Sequence, residues 1–375
     1  MATLGSGRMI FGRSRLVSDT RDFEVDQLDD LCEGLATWAA QRLELADRIV
    51  VLPLSDRLVQ VISAGRRHFD ERFELAVPED AVLRGLIDKI PQLRAAERAG
   101  VNVPAWTAVE DQRDLRNVRS LRLPVIVRPT SWETKGRTDF KVRICRTAEA
   151  LQELCRESLA GGARLLIQEV VGDRSDEDVE FGIVWRSADG TQTAVVTGRK
   201  RRQSHPDGGV MVWGEAVKLP DIDASARRFL DETGFTGLGG IEFIRDRDRL
   251  WFVEFNPRLE AIHFLATRAG VDTVRMAIEE RGRGLVPAVE PTQQDAAAWI
   301  GTAWLARLQA DPRSVPRLVR DRVAFARSPR RVRAVWAWDD PVPGLMVTGR
   351  ILRSSARVLS EKLGRVVSRA ERRAR

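Results

Sequence analysis

The alternation of apolar and polar positions divides the chain into short elements of mixed type. Residues 49–53 are a continuous apolar run read as a buried strand, and residues 56–62 follow with helical spacing. Residues 81–99 predict helices closed by Gly100, and "VNVPAW" reads as a linker into the next unit. A strand over 123–129 must stop at Pro129, which has no N–H to give a ladder. A polar loop follows, then a strand over 141–145. Thr147 is placed to cap a helix over 148–157, with Glu149 in its first turn. Strands are expected within 163–171, 178–185, 193–200 and 210–217, then a helix over 223–234 and a strand pair. A final helix over 259–270 closes at Gly270. This order is mixed α+β with many antiparallel neighbours, unlike the strict alternation of a dinucleotide-binding dehydrogenase.

The strand pair after residue 236 carries the strongest chemical signal. "GGIEFI" and "WFVEFNPRLE" alternate as strands, and "RDRDR" (Arg245 to Arg249) between them reads as a charged turn. With the turn centred near Asp248, Glu242 lies directly opposite Glu254. Like charges opposite each other destabilise a sheet, so the pair calls for a reason. Side chains two apart share a face, so Glu254 and Asn256 point one way, and Val253 and Phe255 the other. Three such oxygen donors suit Mg²⁺, which completes its octahedron with phosphate and water. A solvated hairpin ending in an Asn-Pro turn explains the glutamates alone; Asn256 and Arg258 in addition favour the metal.

Composition narrows the chemistry. The 375 residues suffice for two or three packed units. No apolar run approaches the ~20 residues of a membrane helix, and the N-terminus lacks a signal-peptide core. Cys32, Cys145 and Cys155 fit no zinc spacing and point to a reducing cytoplasm. With His68, His205 and His263 scattered, catalysis must rest on carboxylates, Arg or Lys and a hard cation. The net charge of +7 resides in residues 350–375, which hold nine Arg or Lys and two Glu. A basic pI therefore describes a tail, and no nucleic-acid partner is expected. In that tail Leu352, Leu359, Leu363 and Val366 recur at helical spacing. A solvated or body-packed amphipathic helix is favoured over contact with a membrane surface.

A metal held by two Glu and an Asn implies a polyphosphate partner, so cations upstream become candidates. Arg128 ends a buried strand, where a guanidinium can grip phosphate oxygens bidentately. Lys89 follows Asp88 inside a helix. In "GRKRRQSHP", Lys200 and Arg202 share one face and Arg199 and Arg201 the other; a charge run of this kind is usually a solvated face. The strand "LLIQEVVGD" offers backbone groups to an adenine edge, and Asp176 is a plausible acceptor for ribose hydroxyls, or an ordinary loop acid.

From about residue 50 to 275 these segments resemble the ATP-grasp superfamily, within it the carboxylate–amine ligases similar to D-aspartate ligase. "VLPLSDRLV", "IDKIPQLRAAERAGVNVP", "LPVIVRP", "LIQEVVGD" and "GRKRRQSHP" each match a family segment. "GFTGLGGIEF" with "VEFNPRLEAIHFLATRAGVD" is the most specific piece, similar to the magnesium hairpin. The resemblance implies Mg²⁺ (with Mn²⁺ as a substitute) on Glu242, Glu254 and Asn256. It implies ATP phosphates on Lys89 and Arg128, adenine on the backbone of Glu169 and Val171, and ribose on Asp176. Arg258, and Arg202 with Lys200, would steady an acyl phosphate or a substrate carboxylate. Departures are Arg128 in place of the commoner Lys, Glu260 after "NPRL", and no recognisable first strand and glycine turn at the N-terminus.

The expected architecture is α+β or α/β, an ATP-grasp fold of two α+β subdomains. A pre-ATP-grasp α/β domain, expected to be truncated, spans 1–105. The ATP-grasp domain spans 106–285, with its lid subdomain near 122–170. An Arg-rich extension with the basic tail helix spans 286–375. The expected function is a cytoplasmic ATP- and Mg²⁺-dependent ligase joining a small-molecule carboxylate and an amine, with a homodimer compatible. The alternative is an ATP-binding module of little or no activity with a regulatory or assembly role. A nicotinamide dehydrogenase is disfavoured, because "GLGG" (Gly237 to Gly240) does not fit G-x-G-x-x-G and precedes a strand.

Overall fold

The computed structural model describes residues 2–5, 13–22, 28–41, 47–130, 137–172, 178–205, 208–289, 295–350 and 352–353. The expected tail positions Leu359, Leu363 and Val366, and Asp176, lie outside these residues. At the N-terminal end, β1 (Ala2–Gly5) pairs in parallel with β2 (Asp19–Asp22), and β3 (Ile49–Val51) with β4 (Phe73–Leu75). Parallel neighbours need a crossover, and helix Asp56–Ala64 supplies it between β3 and β4. Ser55 caps that helix by accepting from the Leu58 N–H at 3.3 Å. Trp38, Val59, Ile62, Phe73 and Leu83 form the core here.

The predicted helical stretch over 81–99 is two helices, Asp80–Ile87 and Lys89–Arg98, parted by Asp88 in an extended conformation. Asp88 accepts from the Ile90 N–H at 2.8 Å and so caps the second helix. Lys89 therefore opens a helix, and its own N–H reaches the Thr130 carbonyl at 3.0 Å. The strands β5 (Trp106–Val109), β6 (Val125–Pro129), β7 (Arg143–Cys145) and β8 (Leu165–Glu169) form an antiparallel sheet in the order β5-β8-β6-β7. Thr147 caps helix Ala148–Ala160, its hydroxyl accepting from the Ala150 N–H at 3.3 Å.

A larger sheet comprises β9 (Val179–Arg186), β10 (Thr193–Gln203), β11 (Met211–Ala216), β12 (Gly237–Asp246), β13 (Arg249–Asn256), β14 (Ala296–Trp299) and β15 (Arg330–Arg333). Its order is β13-β12-β9-β10-β11-β14-β15. One face packs Phe243, Phe252 and Phe255 against Phe229 and Phe235, on and beside helix Pro220–Thr233. A fully buried side chain of this size contributes about 1.5–3 kcal/mol over an exposed one, which fixes which face of each strand points inward. The side chains of Glu242, Glu254 and Lys200 are thereby left to the other face.

The hairpin reaches its register by a route the alternation did not reveal. Asp246 pairs with Arg249, so the turn is Arg247-Asp248, and pairing continues evenly to Phe243 opposite Phe252. Continued without interruption, it would place Glu242 opposite Val253. A β-bulge intervenes, and Glu242 faces Glu254. Phe252 and Phe255, three apart, both meet Phe229 with ring centroids at 5.2 Å, which locates the extra residue at Val253. The expected grouping of Val253 with Phe255 on one face is corrected accordingly.

Two further expectations change. The helix expected over 259–270 begins only at His263 and is not the last, because helix Thr273–Arg283 follows. The chain turns from Asn256 to Glu260 first, which carries Glu260 back over the hairpin. The Arg-rich stretch after residue 285 is also no appendage to the sheet: β14 joins β11 and β15 joins β14. Ala296, Ala297 and Ala298 are fully buried, and alanine's weak strand preference hid β14 from a pattern reading. Helix Val315–Arg327 carries Asp321 to Arg202, whose Nε and Nη2 donate to its two carboxylate oxygens at 2.7 and 3.2 Å.

Removing one partner of a buried pair strands a charge, so Arg202→Ala is expected to lower stability by about 3–5 kcal/mol in urea unfolding. Replacing both, by Arg202→Met with Asp321→Leu, should recover most of it. An equal loss in the double variant would assign the cost to packing instead. His263 gives a pH signature. Burial and the Arg258 guanidinium push its pKa down to about 3 from 6.5, while Nδ1 lies 3.0 Å from Thr273 Oγ1. The unfolded chain then binds the proton more readily, so this stability is full above pH 6.5 and is lost as pH falls toward about 3. His263→Gln should flatten that acid limb in urea melts taken across the window; an unaltered slope would count against it.

Candidate active site

The functional side chains come from the hairpin itself, the turn after it, and three elements that meet over it: the helix opened by Lys89, β6 and β10. Lys89, at the start of its helix, donates from Nζ to Glu254 Oε2 at 2.9 Å. Arg128, buried near the end of β6, brings Nη1 to 3.9 Å from the same oxygen. Its Nη2 also donates to Gln168 Oε1 on β8, which orients the guanidinium. Lys200, buried on β10, donates to Glu242 Oε1 at 2.7 Å and to the Gly209 carbonyl at 3.3 Å. Each of the facing carboxylates thus has its own lysine. The Lys89 ammonium foremost, against the cost of burial, and Arg128 next hold the Glu254 carboxyl far below the usual carboxylate range.

Asn256, last in β13, donates from Nδ2 to Glu260 Oε1 at 2.9 Å. That bond turns its amide oxygen the other way, where it is free to act as a ligand. Burial foremost, then the neighbouring Glu242, raises the Glu260 carboxyl to about 8, with Arg258 and Lys200 pulling against the rise. Glu260 Oε2 is buried with no hydrogen-bond partner among the described residues. A Cβ built on Gly240 would stand 1.7 Å from that oxygen, so a side chain at 240 would force the Glu260 carboxyl to swing aside. Arg258 donates from Nε to Asp56 Oδ1 at the start of its helix, and its Nη1 lies 3.9 Å from Glu260 Oε1. Burial disfavours the Arg258 charge, and Glu260 and Asp56 more than offset it.

Lys89, Arg128, Lys200, Glu242, Glu254, Asn256 and Arg258 therefore assemble. Arg202 does not come to the carboxylates with them; Asp321 holds its guanidinium. Arg199 and Arg201 bond Glu180 at 2.6 Å and Glu215 at 3.0 Å, and a register shift between Lys200 and Arg202 interrupts the simple alternation expected of this run. Glu169 ends β8, and Val171 lies two residues beyond it. The Glu169 N–H is taken by the Ala105 carbonyl at 2.8 Å and the Val170 N–H by Pro124 at 3.1 Å. The Glu169 carboxylate accepts from the Arg122 N–H at 2.8 Å.

Among the described residues no three His, Cys, Asp or Glu side chains gather as a metal-binding group. A cation here would draw on Glu242, Glu254 and the Asn256 oxygen, with the rest of its shell supplied from outside the protein. That hard, partly open donor set fits Mg²⁺ with a polyphosphate and does not fit a softer metal. Pattern reading missed Asp56 and Gln168, and it saw Glu260 only as a departure. Asp56 stands in a motif already singled out, but nothing in the spacing tells that it reaches Arg258 from 202 positions away.

A family profile described as the carbamoyl-phosphate synthase L chain ATP-binding domain matches residues 88–280, just over half of the chain. The carbamoyl phosphate synthase large chain of Thermoplasma acidophilum is 25% identical over 196 residues, covering 50% of this chain and 18% of that protein. The N5-carboxyaminoimidazole ribonucleotide synthase of Synechococcus elongatus is 25% identical over 190 residues, covering 48% and 45%. The chain thus spans less than half the length of either. Among solved structures, the biotin carboxylase domain of Hydrogenobacter thermophilus 2-oxoglutarate carboxylase, with MgADP, ADP and bicarbonate, aligns at TM-score 0.60 and 17% identity. That alignment covers 78% of this chain and 66% of that one. The L-amino acid ligase of Bacillus licheniformis aligns at TM-score 0.55 and 13% identity, covering 73% and 68%. These likenesses establish the shared fold, and the profile match makes this chain a member of the carbamoyl-phosphate synthase L-chain ATP-binding domain family, within the ATP-grasp superfamily.

Proposed function

We propose that this protein is an ADP-forming ligase that couples ATP cleavage to amide formation between a small carboxylate and an amine. The observation that carries the reading is the Glu242–Glu254 pair, in register and with each carboxylate clamped by a lysine. Two acids facing each other beside three buried or half-buried cations make little sense as structure alone. They make sense where a polyphosphate and a divalent ion enter together, since the ion takes the carboxylates and the phosphates take the cations.

In this reading Lys89 and Arg128 hold phosphate oxygens, and Glu169 and Val171 present the backbone at the end of β8 to the adenine edge. Asp176 is proposed for the ribose. Bound at Glu242, Glu254 and Asn256, Mg²⁺ would neutralise charge on the phosphates. Arg258 orients the substrate carboxylate, whose oxygen attacks the γ-phosphorus as ADP leaves. The amine then attacks the acyl carbon, losing a proton as phosphate departs. Lys200 lies where negative charge gathers, and no nucleophilic side chain is required. Arg202 is assigned the role of fixing β10 through Asp321. The three cysteines are buried, in keeping with a reducing compartment, and no helix among the described residues is long and apolar enough to cross a membrane.

A second reading, an ATP-binding module without turnover, is favoured by the engagement of Arg202 with Asp321. A thermal-shift titration with ATP, with and without Mg²⁺, addresses both. ATP at 100 times its Kd should stabilise the wild type by about 2.7 kcal/mol, and more so with Mg²⁺. In Glu254→Gln the Mg²⁺ increment should vanish, while metal-free ATP binds at least as well because Lys89 and Arg128 are released. A retained increment would remove Glu254 from the metal set. ADP release on adding amino acids would favour the ligase; Mg²⁺-dependent binding with no ADP release from any carboxylate and amine pair would favour the module.

A further inference from the structure

Away from the nucleotide site, the C-terminal part of the fold forms a half-open cavity of about 520 Å³. Trp299 at the end of β14, Trp304 and Leu308 on helix Gly301–Ala310, and Leu318, Val319 and Val323 on helix Val315–Arg327 line it. Its size lies within the range that holds a small organic ligand. The walls are apolar, with one exception. Arg322 projects into it, its guanidinium 5.0 Å from the Trp299 ring centre and 5.3 Å from that of Phe325. Trp299 and Phe325 pack on each other with centroids 5.5 Å apart, so the cation rests on a fixed aromatic floor.

Arg322 Nη1 is buried and has no hydrogen-bond partner among the described residues. Burial, reinforced by the like charge of Arg333, disfavours its protonated form. An aromatic face attracts a cation but does not replace an anionic partner for a guanidinium drawn partly out of water. The half-buried guanidinium has no anionic partner among the described residues. Val315, Val319 and Val323 extend the apolar surface along the same helix to the mouth, where they are 44%, 58% and 44% exposed.

We propose that this cavity is a second ligand site, taking a small amphipathic carboxylate whose head group pairs with Arg322 and whose apolar body fills the space between the two tryptophans. A planar carboxylate can accept two parallel N–H bonds from a guanidinium, and the tryptophans and leucines supply a surface that an uncharged polar metabolite would not wet. The ligand class is therefore a medium-chain or aryl monocarboxylic acid. Nucleotides are excluded, because the lining offers a single cation and no row of polar partners. The site stands independently of the ligase reading, since none of its residues touches the carboxylate pair.

Dodecanoate and dodecanol, each below its aggregation limit, are the probes, titrated into the full chain with tryptophan fluorescence and calorimetry. Dodecanoate should bind saturably at one site per chain with a change in tryptophan emission. Arg322→Met, which keeps the apolar stem, should weaken dodecanoate at least tenfold and leave dodecanol unchanged. No saturable dodecanoate binding, or equal affinity in Arg322→Met, would overturn the assignment. So would sedimentation showing that the wild type dimerises and that Val319→Glu makes it monomeric with no fatty-acid site in either form, which would make the face a contact between copies. Screening for ADP release on the same samples keeps the nucleotide reading separately testable.

Discussion

Two carboxylates placed face to face on adjacent strands constrain everything around them. Left alone, Glu242 and Glu254 would push the hairpin apart. The structure resolves this by delivering a cation to each from a different element: Lys200 from the sheet, Lys89 from the start of a helix, with Arg128 behind it from the second sheet. The fold can therefore be read as a device for carrying positive charge to one spot. The sheet supplies rigidity, the aromatic cluster of Phe229, Phe252 and Phe255 sets which way each glutamate points, and the Val253 bulge sets which residues face.

In the proposed function, charge compensation of this kind would make the site a place of exchange. Each acid is already paired, so a metal ion entering without phosphate would have to displace a lysine at a cost, and a phosphate entering without metal would meet the carboxylates. Bound together, they swap partners with little net change in charge. Glu260 adds tension: it is buried and raised to about 8, one of its oxygens has no partner among the described residues, and it lies where a Cβ on residue 240 would stand. Arg258 ties this corner to Asp56, so helix Asp56–Ala64 is joined to the hairpin through a salt bridge across the site.

The C-terminal extension has a similar dual place. Its strands complete the larger sheet, its Asp321 holds Arg202 two residues from Lys200, and the next residue, Arg322, faces the apolar cavity. An element that looks like an Arg-rich afterthought in composition is thus packed against the strand bearing a site lysine. Its many arginines are distributed among an ion pair, aromatic faces and solvent, which composition cannot distinguish.

The hairpin was the most legible part of the chain, because strand alternation, a charged turn and the Glu-x-Asn-x-Arg run are local patterns. The caps at Ser55, Asp88 and Thr147 are equally local, although only Thr147 was read as one, and the stop at Pro129 follows from proline's missing N–H. What the amino-acid sequence by itself determined is most of the strands and helices between residues 49 and 270, the acids and the cations available to them, and membership of a recognisable family. The tertiary structure decided the rest: the bulge at Val253, the start of a helix at Lys89 and the strand made of alanines. It also decided the capture of Arg202 by Asp321, and of Arg258 by Asp56. Those outcomes depend on packing and on charges brought together from 119 and 202 positions apart, and no local pattern encodes a distance of that kind.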